Sequence, residues 1–117
     1  MISHDDYEWL FRKVPVMTTS IAEDGSYLDV NDAMLERLGY ALEEMVGRRP
    51  EEFATPETAE RIVHELRPAL RRRSKLENKP VTLVSSTGEL VECVTNAFVE
   101  FDHEGEFLRT VAMLSLI

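Results

Sequence analysis

Apolar residues recur with a helical period at the start of the chain. Trp9, Leu10 and Val14 share one side of the segment 5–14, and charged residues separate them. Pro15 ends this pattern, because proline disfavours the helical conformation in the residue before it. The pattern predicts a short amphipathic helix.

Two runs of β-forming residues follow and flank an Asp-Gly pair. Residues 16–22 and 27–30 are rich in β-branched and aromatic side chains, and residues 23–26 (EDGS) lie between them. Asp-Gly between two such runs is typical of a tight hairpin turn. The pattern therefore predicts a first β-hairpin.

The middle of the chain returns to helical spacing. Asn31 has the features of a helix N-cap and Gly39 those of a helix end, and residues 41–46 form another short helical stretch. A longer helix is predicted from Thr55, with its apolar stripe at Ile62, Leu66 and Leu70. Pro68 lies inside that pattern, so we expect the helix to kink or end there.

The last third of the chain has a β pattern. Residues 80–84, 89–101 and 107–117 are strand candidates, separated by turn sequences. A hairpin, a run of helices and three further strands predict an α+β domain with helices on one face of an antiparallel sheet.

Composition and charge narrow the class of protein. The chain has 117 residues, enough for one domain with its own core. A net charge of −9 argues against nucleic-acid binding, and no apolar run is long enough for a membrane span. The first ten residues do not resemble a secretory signal. We expect a soluble, cytoplasmic protein.

Four motifs in this order resemble those of a PAS domain. They are EDGSYLDVN (residues 23–31), LGYALEEMVG (38–47), STGELV (86–91) and DHEG (102–105). The resemblance covers residues 14–117. It implies a five-stranded antiparallel sheet in the order 2-1-5-4-3, with short helices on one face. Residues 1–14 would form an N-terminal helix outside the PAS domain proper (15–117).

The resemblance also implies a possible ligand cavity between the sheet and the helices. With a strand period of two, Cys93 and its alternate neighbours point inward, and a slip of one residue would invert the assignment. The alternative is a filled core, with Cys93 as a small buried residue rather than a reactive thiol. The candidate lining residues are Leu28, Met34, Leu38, Met45, Phe53, Ile62, Leu66, Cys93, Thr95, Ala97, Thr110, Ala112 and Leu114.

The same register gives the sheet an apolar outer face. A continuous apolar patch is seldom left in water, so the N-terminal helix or a second copy of the domain should cover it. Members of the family commonly dimerise in this way, and we expect a homodimer. The candidate interface residues are Trp9, Leu10, Val14, Val94, Phe98, Val111 and Met113.

Cofactor motifs of the family are mostly missing. Flavin photochemistry is argued against, because residues 47–53 (GRRPEEF) lack the reactive cysteine of the light-sensing relatives. His64 lies where haem-binding relatives carry an axial ligand, but it falls off the apolar stripe of its helix, so we expect no haem. The three histidines show no metal-ligand spacing. The arginine clusters at 48–49 and 71–73 are interpreted as solvated charges rather than an anion site.

The sequence therefore predicts a sensory and dimerisation module of a bacterial-type signalling protein, of the two-component or cyclic-dinucleotide kind, and not an enzyme. Ligand or partner binding would shift the packing of the N-terminal helix and so bias an output domain. We expect the chain to end within a larger protein, since the family's usual D-I-T exit motif is missing. Two alternatives stay open: a ligand-free PAS scaffold, and a small enzyme with a ketosteroid-isomerase-like cone fold. The second would need a carboxylate inside the pocket, whereas Glu92 and Glu100 fall on the outward register.

Overall fold

One antiparallel sheet organises the chain, and a run of helices packs on one of its faces. The computed structural model describes residues 3–117. Residues 1 and 2, part of the predicted N-terminal segment, lie outside the described residues. The strands are β1 (Met17–Ile21), β2 (Tyr27–Val30), β3 (Lys75–Val84), β4 (Leu90–Phe101) and β5 (Phe107–Leu116). The helices are α1 (His4–Lys13), α2 (Asp32–Leu38), α3 (Leu42–Met45), α4 (Pro56–Arg61) and α5 (Arg67–Arg73), with a 3₁₀ turn at Pro50–Phe53 and a π-helical segment at Ile62–Leu66.

The strands lie in the order β2-β1-β5-β4-β3, and every neighbouring pair is antiparallel. The predicted sheet is confirmed. The chain leaves the sheet at one edge after β2 and re-enters it at the other edge as β3. The helices between these strands must therefore cross the sheet, and they cover the face that carries the core.

The predicted register of the last two strands is also confirmed. Ala112 on β5 pairs with Ala97 on β4 and, on its other side, with Thr19 on β1. The inward residues of β4 and β5 are buried, whereas Phe98 and Met113 on the opposite face are exposed. The alternation of small inward residues and larger outward ones therefore identifies the two faces correctly.

Asn31 connects three segments through a buried side-chain amide. Its Oδ1 accepts from the backbone N–H of Thr18 at 2.9 Å and from the N–H of Met34 at 3.2 Å. Its Nδ2 donates to the carbonyls of Val14 at 3.2 Å and Val16 at 2.9 Å. The predicted N-cap of α2 thus also fixes the entry of the chain into β1.

The helical stretch around Pro68 differs from the expectation of a kink or an end. The helix continues to Arg73, and the π-helical segment Ile62–Leu66 precedes the proline. The Arg67 N–H bonds to the carbonyl of Ile62, five residues back. This wider turn accommodates the ring and the missing N–H of Pro68 without breaking the helix. The helix ends at Ser74, whose φ of 62° is left-handed.

Strand β3 begins at Lys75, five residues before the predicted start at Pro80. An irregularity between Leu76 and Lys79 separates its two halves, and Asn78 adopts a positive φ of 52° there. The Asn78 N–H bonds to Oδ1 of Asn96. Proline is tolerated because β3 is an edge strand. The irregular segment hides the strand pattern in the sequence.

We predict that Asn31→Ala destabilises the fold by about 2–4 kcal/mol, because it leaves buried and partly buried backbone groups of three segments without partners. Urea denaturation of both proteins measures the difference. Asn96→Ala, which removes one exposed side-chain acceptor, is the control and should cost less than about 1 kcal/mol. Equal losses in the two variants would contradict the role given to Asn31.

Candidate ligand cavity

A cavity of about 360 Å³ lies between the inner face of the sheet and the helical stretch from residue 56 to 73. Its floor includes Thr19, Ala97 and Ala112 from the three central strands. Ile62 and Leu66 of the π-helical segment form part of the opposite wall. Because alanine and threonine side chains are short, they do not fill the space between the sheet and the helix.

The inward space around Met34, Leu38 and Met45 is filled. Met34, Leu38 and Met45 are completely buried, and Phe53 and Cys93 are buried with them. These five predicted lining residues belong to the core and do not line the cavity. The sequence left open whether the interior holds a ligand cavity or a filled core. In the structure the part under α2 and α3 is a filled core, and the part under α4 and α5 contains a cavity.

Seven of the predicted residues do line the cavity: Ile62, Leu66, Thr95, Ala97, Thr110, Ala112 and Leu114. The prediction for Leu28 is wrong, because this side chain is 49% exposed. The β1–β2 pairing joins Ser20 to Asp29 and then Ile21 to Tyr27, so Leu28 is the extra residue of a β-bulge. Tyr27 takes the inward position instead, and it lines the cavity.

An ion pair holds one side of the cavity mouth. Arg67, a lining residue, donates to both carboxylate oxygens of Glu51 at 2.6 and 3.1 Å, and both side chains are largely buried. Desolvation acts to raise the pKa of Glu51, but the hydrogen bonds and charge of Arg67 outweigh it, and that pKa lies below its usual value. Glu51 is therefore ionised at neutral pH and neutralises Arg67.

The hairpin turn before β2 packs on the same arginine. Gly25 has a φ of 94°, and a Cβ at this position would lie 2.9 Å from Nε of Arg67. Arg49 donates to the backbone carbonyl of Asp24 in this turn. Glycine is required here both for its backbone conformation and for the space that the guanidinium group occupies.

Tyr27 is held against the aromatic part of the core. Its ring centroid lies 6.1 Å from that of Phe53, which in turn packs edge-on against Tyr40 at 5.0 Å. Burial and the nearby Glu51 carboxylate raise the pKa of Tyr27, so the phenol stays protonated. The cavity therefore receives a neutral hydroxyl from this strand. The sequence pattern missed it because the bulge at Leu28 reverses the alternation.

Cys93 is a buried residue of the packed half of the core. Its Sγ lies 3.6 Å from the carbonyl oxygen of Val91, and burial raises the pKa of the thiol. Both features disfavour the reactive thiolate.

His64 is exposed on the helix and is not among the residues that line the cavity. It is therefore not placed to ligate a group bound there. Within residues 3–117, no group of three or more His, Cys, Asp or Glu side chains is arranged to hold a metal ion.

The carboxylates considered for the enzyme alternative lie away from the cavity. Glu92 is exposed, and Glu100 pairs with Arg109 at 2.9 Å. Neither residue lines the cavity. The hairpin β1–β2 comes before the helices, whereas the helices of the cone fold usually precede its sheet, so that fold assignment is wrong.

Helix α1 does not cover the outer face of β4 and β5 within a single chain. Phe98 and Met113 are 43% and 40% exposed, and Trp9 is 63% exposed. The C-terminal end of α1 is instead held at the β2–α2 junction, where Arg12 binds both Asp29 carboxylate oxygens at 2.8 Å. This ion pair fixes the polar end of α1 beside β2; Tyr7, Trp9 and Leu10 stay exposed to solvent, whereas Phe11 is partly buried. The other predicted interface residues are exposed (Leu10, Val14) or partly buried (Val94, Val111).

Comparisons with known proteins agree with this architecture. A family model described as "PAS fold" matches residues 11–116, so the chain belongs to the PAS fold family. No curated protein matches the chain. No helix within residues 3–117 is long and apolar enough to cross a membrane.

Several solved PAS domains share the fold at low sequence identity. One from Colwellia psychrerythraea has a TM-score of 0.84 at 15% identity and covers 97% of this chain and 95% of its own. One from an HTR-like protein of Haloarcula marismortui has a TM-score of 0.76 at 24% identity, covering 97% and 90%. The PAS domain of a LuxR-family transcriptional regulator from Burkholderia thailandensis, in complex with ethanol, has a TM-score of 0.76 at 19% identity, covering 96% and 97%.

We predict that Glu51→Gln lowers the free energy of unfolding by roughly 1–2 kcal/mol near pH 7, because it removes the charge that Arg67 binds. Since the pKa of Glu51 is lowered by folding, the wild-type advantage is complete above the ordinary glutamate pKa of about 4.3. It disappears as the pH falls through the lower pKa of the folded state.

Denaturation of wild type and Glu51→Gln between pH 3 and pH 8 measures this difference. Glu60→Gln is the control, because Glu60 is an exposed helical carboxylate that forms no ion pair with any of the described residues 3–117. A loss in Glu51→Gln that stays constant across the pH range would contradict the assignment.

Proposed function

We propose that this chain is the sensory module of a signalling protein and that it binds a small organic molecule in the cavity under α4 and α5. The volume of the cavity carries the proposal. About 360 Å³ lies within the roughly 300–1,000 Å³ typical of small-molecule sites. A single water takes up about 30 Å³ in the liquid, and protein interiors contain few voids larger than one water molecule.

The composition of the wall supports the same proposal. Most lining side chains are apolar, and four of the polar ones (Thr19, Tyr27, Thr95 and Thr110) come from separate strands. The other polar ones come from the hairpin turn and the helical stretch (Glu23, Arg67, Arg71 and Ser74). This is the usual make-up of a small-molecule site. The Burkholderia PAS domain is described in complex with ethanol, which is a property of that protein. For this chain, small-molecule binding favours a sensor over the ligand-free scaffold.

We predict that Ala112→Leu abolishes ligand binding, because the larger side chain fills the floor of the cavity. Native mass spectrometry of the purified protein should show wild type with a bound small molecule and the variant without it. Extra apolar burial should leave the melting temperature of the ligand-free variant equal to or above that of the ligand-free wild type.

Ala41→Leu, on an exposed residue, is the control and should keep the ligand. A wild-type mass equal to that of the chain alone, together with strong destabilisation by Ala112→Leu, would favour the scaffold.

The second part of the proposal is that two copies of the chain associate through the outer face of the sheet and α1. PAS domains commonly dimerise and pair with output domains. Here the apolar side chains of Phe98 and Met113 are exposed on the outer face of the sheet, and that of Trp9 is exposed on α1. A second copy would bury these side chains, and the burial of apolar surface favours association.

Signal relay would follow from this arrangement. Ligand binding that favours one packing of α1 over another shifts the population of dimer states, and an output domain reads that shift. In this proposal the protein is cytoplasmic, and its output domain acts in two-component or cyclic-dinucleotide signalling.

We predict that Phe98→Glu converts a dimer to a monomer, because a charge at the centre of an apolar interface is left without a partner. Analytical ultracentrifugation measures the association, with an expected weakening of at least about tenfold. Val63→Glu, on an equally exposed valine of the helical stretch, is the control. A wild-type protein that stays monomeric at high concentration would sink the dimer proposal.

A further inference from the structure

Four buried side-chain hydroxyls in the cavity wall have no hydrogen-bond partner among residues 3–117. Thr19, Tyr27, Thr95 and Thr110 all line the cavity, and each is less than one-tenth exposed. None of the four hydroxyls takes part in a hydrogen bond with any of the residues 3–117. Every fully inaccessible side-chain nitrogen or oxygen in that range does have a partner. The four hydroxyls therefore reach the surface of the cavity.

The strand register places the three threonines around the lowest part of the floor. Thr19 pairs with Ala112, and Ala112 pairs in turn with Ala97. Thr110 lies two residues before Ala112 on β5, and Thr95 lies two residues before Ala97 on β4. These hydroxyls from three adjacent strands thus surround a pair of methyl groups.

Tyr27 adds a fourth hydroxyl from β2. Its strand pairs with β1 at Ile21, another residue of the cavity wall. The four hydroxyls thus come from four of the five strands, and no single turn or helix supplies them. An occupant of the cavity would meet them from the sheet side while its remaining surface contacts aliphatic side chains.

A buried hydroxyl without a hydrogen bond is unfavourable, so the occupant of the cavity must supply partners for these groups. A ligand that displaces water from them without replacing its hydrogen bonds loses affinity. The positive charge of Arg67 at the mouth is already neutralised by Glu51. Arg71 and Glu23 also line the cavity, both are exposed, and their formal charges sum to zero. The wall therefore favours neutral hydrogen-bonding groups over an anion.

We infer that the ligand is an uncharged, mainly apolar molecule that carries a hydroxyl or carbonyl oxygen, and that this oxygen binds at least one of the hydroxyls of Thr19, Tyr27, Thr95 and Thr110. The inference rests on the proposed function and names the chemical class of the ligand for the same cavity. It predicts that the cavity prefers a neutral ligand with such an oxygen to a pure hydrocarbon and to a carboxylate.

Three probes with one common body test the inference: 4-butylphenol, butylbenzene and 4-butylbenzoate. Isothermal titration and thermal shift give the affinity of the purified protein for each. We expect wild type to bind 4-butylphenol at least about tenfold more tightly than butylbenzene, since a site built to bind an oxygen rejects the analogue that lacks it. We expect 4-butylbenzoate to bind most weakly.

Near-isosteric variants assign the effect to the four residues. Thr19→Val, Thr95→Val, Thr110→Val and Tyr27→Phe remove one hydroxyl each and keep the shape of the wall. At least one should lower the affinity for 4-butylphenol about threefold to tenfold and leave that for butylbenzene unchanged or higher. Thr18→Val is the control, because Thr18 is buried on β1 outside the cavity wall.

Several results would overturn the inference. Equal affinity of wild type for 4-butylphenol and butylbenzene, or a ratio unchanged in all four variants, rejects the ligand class but leaves the cavity as a binding site. Tighter binding of 4-butylbenzoate shows that the charged mouth selects an anion instead. Binding of none of the probes rejects this inference; the proposed function falls as well only if native mass spectrometry also shows wild type without a bound molecule. The comparison of probes on wild type does not depend on how well any variant folds.

Discussion

The buried amide of Asn31 is the constraint on which the arrangement of the domain depends. Its four hydrogen bonds satisfy backbone groups of the segment before β1, of β1 itself and of the first turn of α2. A buried amide that uses both its donors and its acceptor fixes the geometry of all the groups it meets. The direction in which α2 leaves the sheet is thereby set, and with it the side on which the helices must cross.

The division of the interior into a packed half and a cavity follows from that crossing. Large residues of α2 and α3 (Met34, Leu38, Met45) fill the space over one part of the sheet. Over the other part, short side chains of the central strands meet a helical stretch that is widened at Ile62–Leu66. The Glu51–Arg67 pair and the turn at Gly25 then form one side of the opening. Whether a part of the interior is packed or open thus depends on the size of a few side chains where helix and sheet face each other.

The sequence predicted the parts of this structure that have a regular period. The alternation of β4 and β5 assigned Cys93, Thr95, Ala97, Thr110, Ala112 and Leu114 to the inner face, because a strand period of two leaves only two choices. It failed where the period is interrupted. A bulge at Leu28 brought Tyr27 inward, the irregular segment at Asn78 hid the start of β3, and the π-helical segment carried the helix past Pro68. Such interruptions depend on the partner strand or helix and leave no periodic signal.

By itself the sequence determined the order of the elements, the faces of the long strands and the cap of α2, since each depends on residues close together in the chain. Only the tertiary structure decided which inward residues line a cavity and which fill the core, because that depends on the volumes of side chains from distant segments. It also decided where α1 lies: the pairing of Arg12 with Asp29 holds one end beside β2 and leaves Trp9 in solvent. An ion pair between residues seventeen positions apart leaves no local sequence pattern from which it could be predicted.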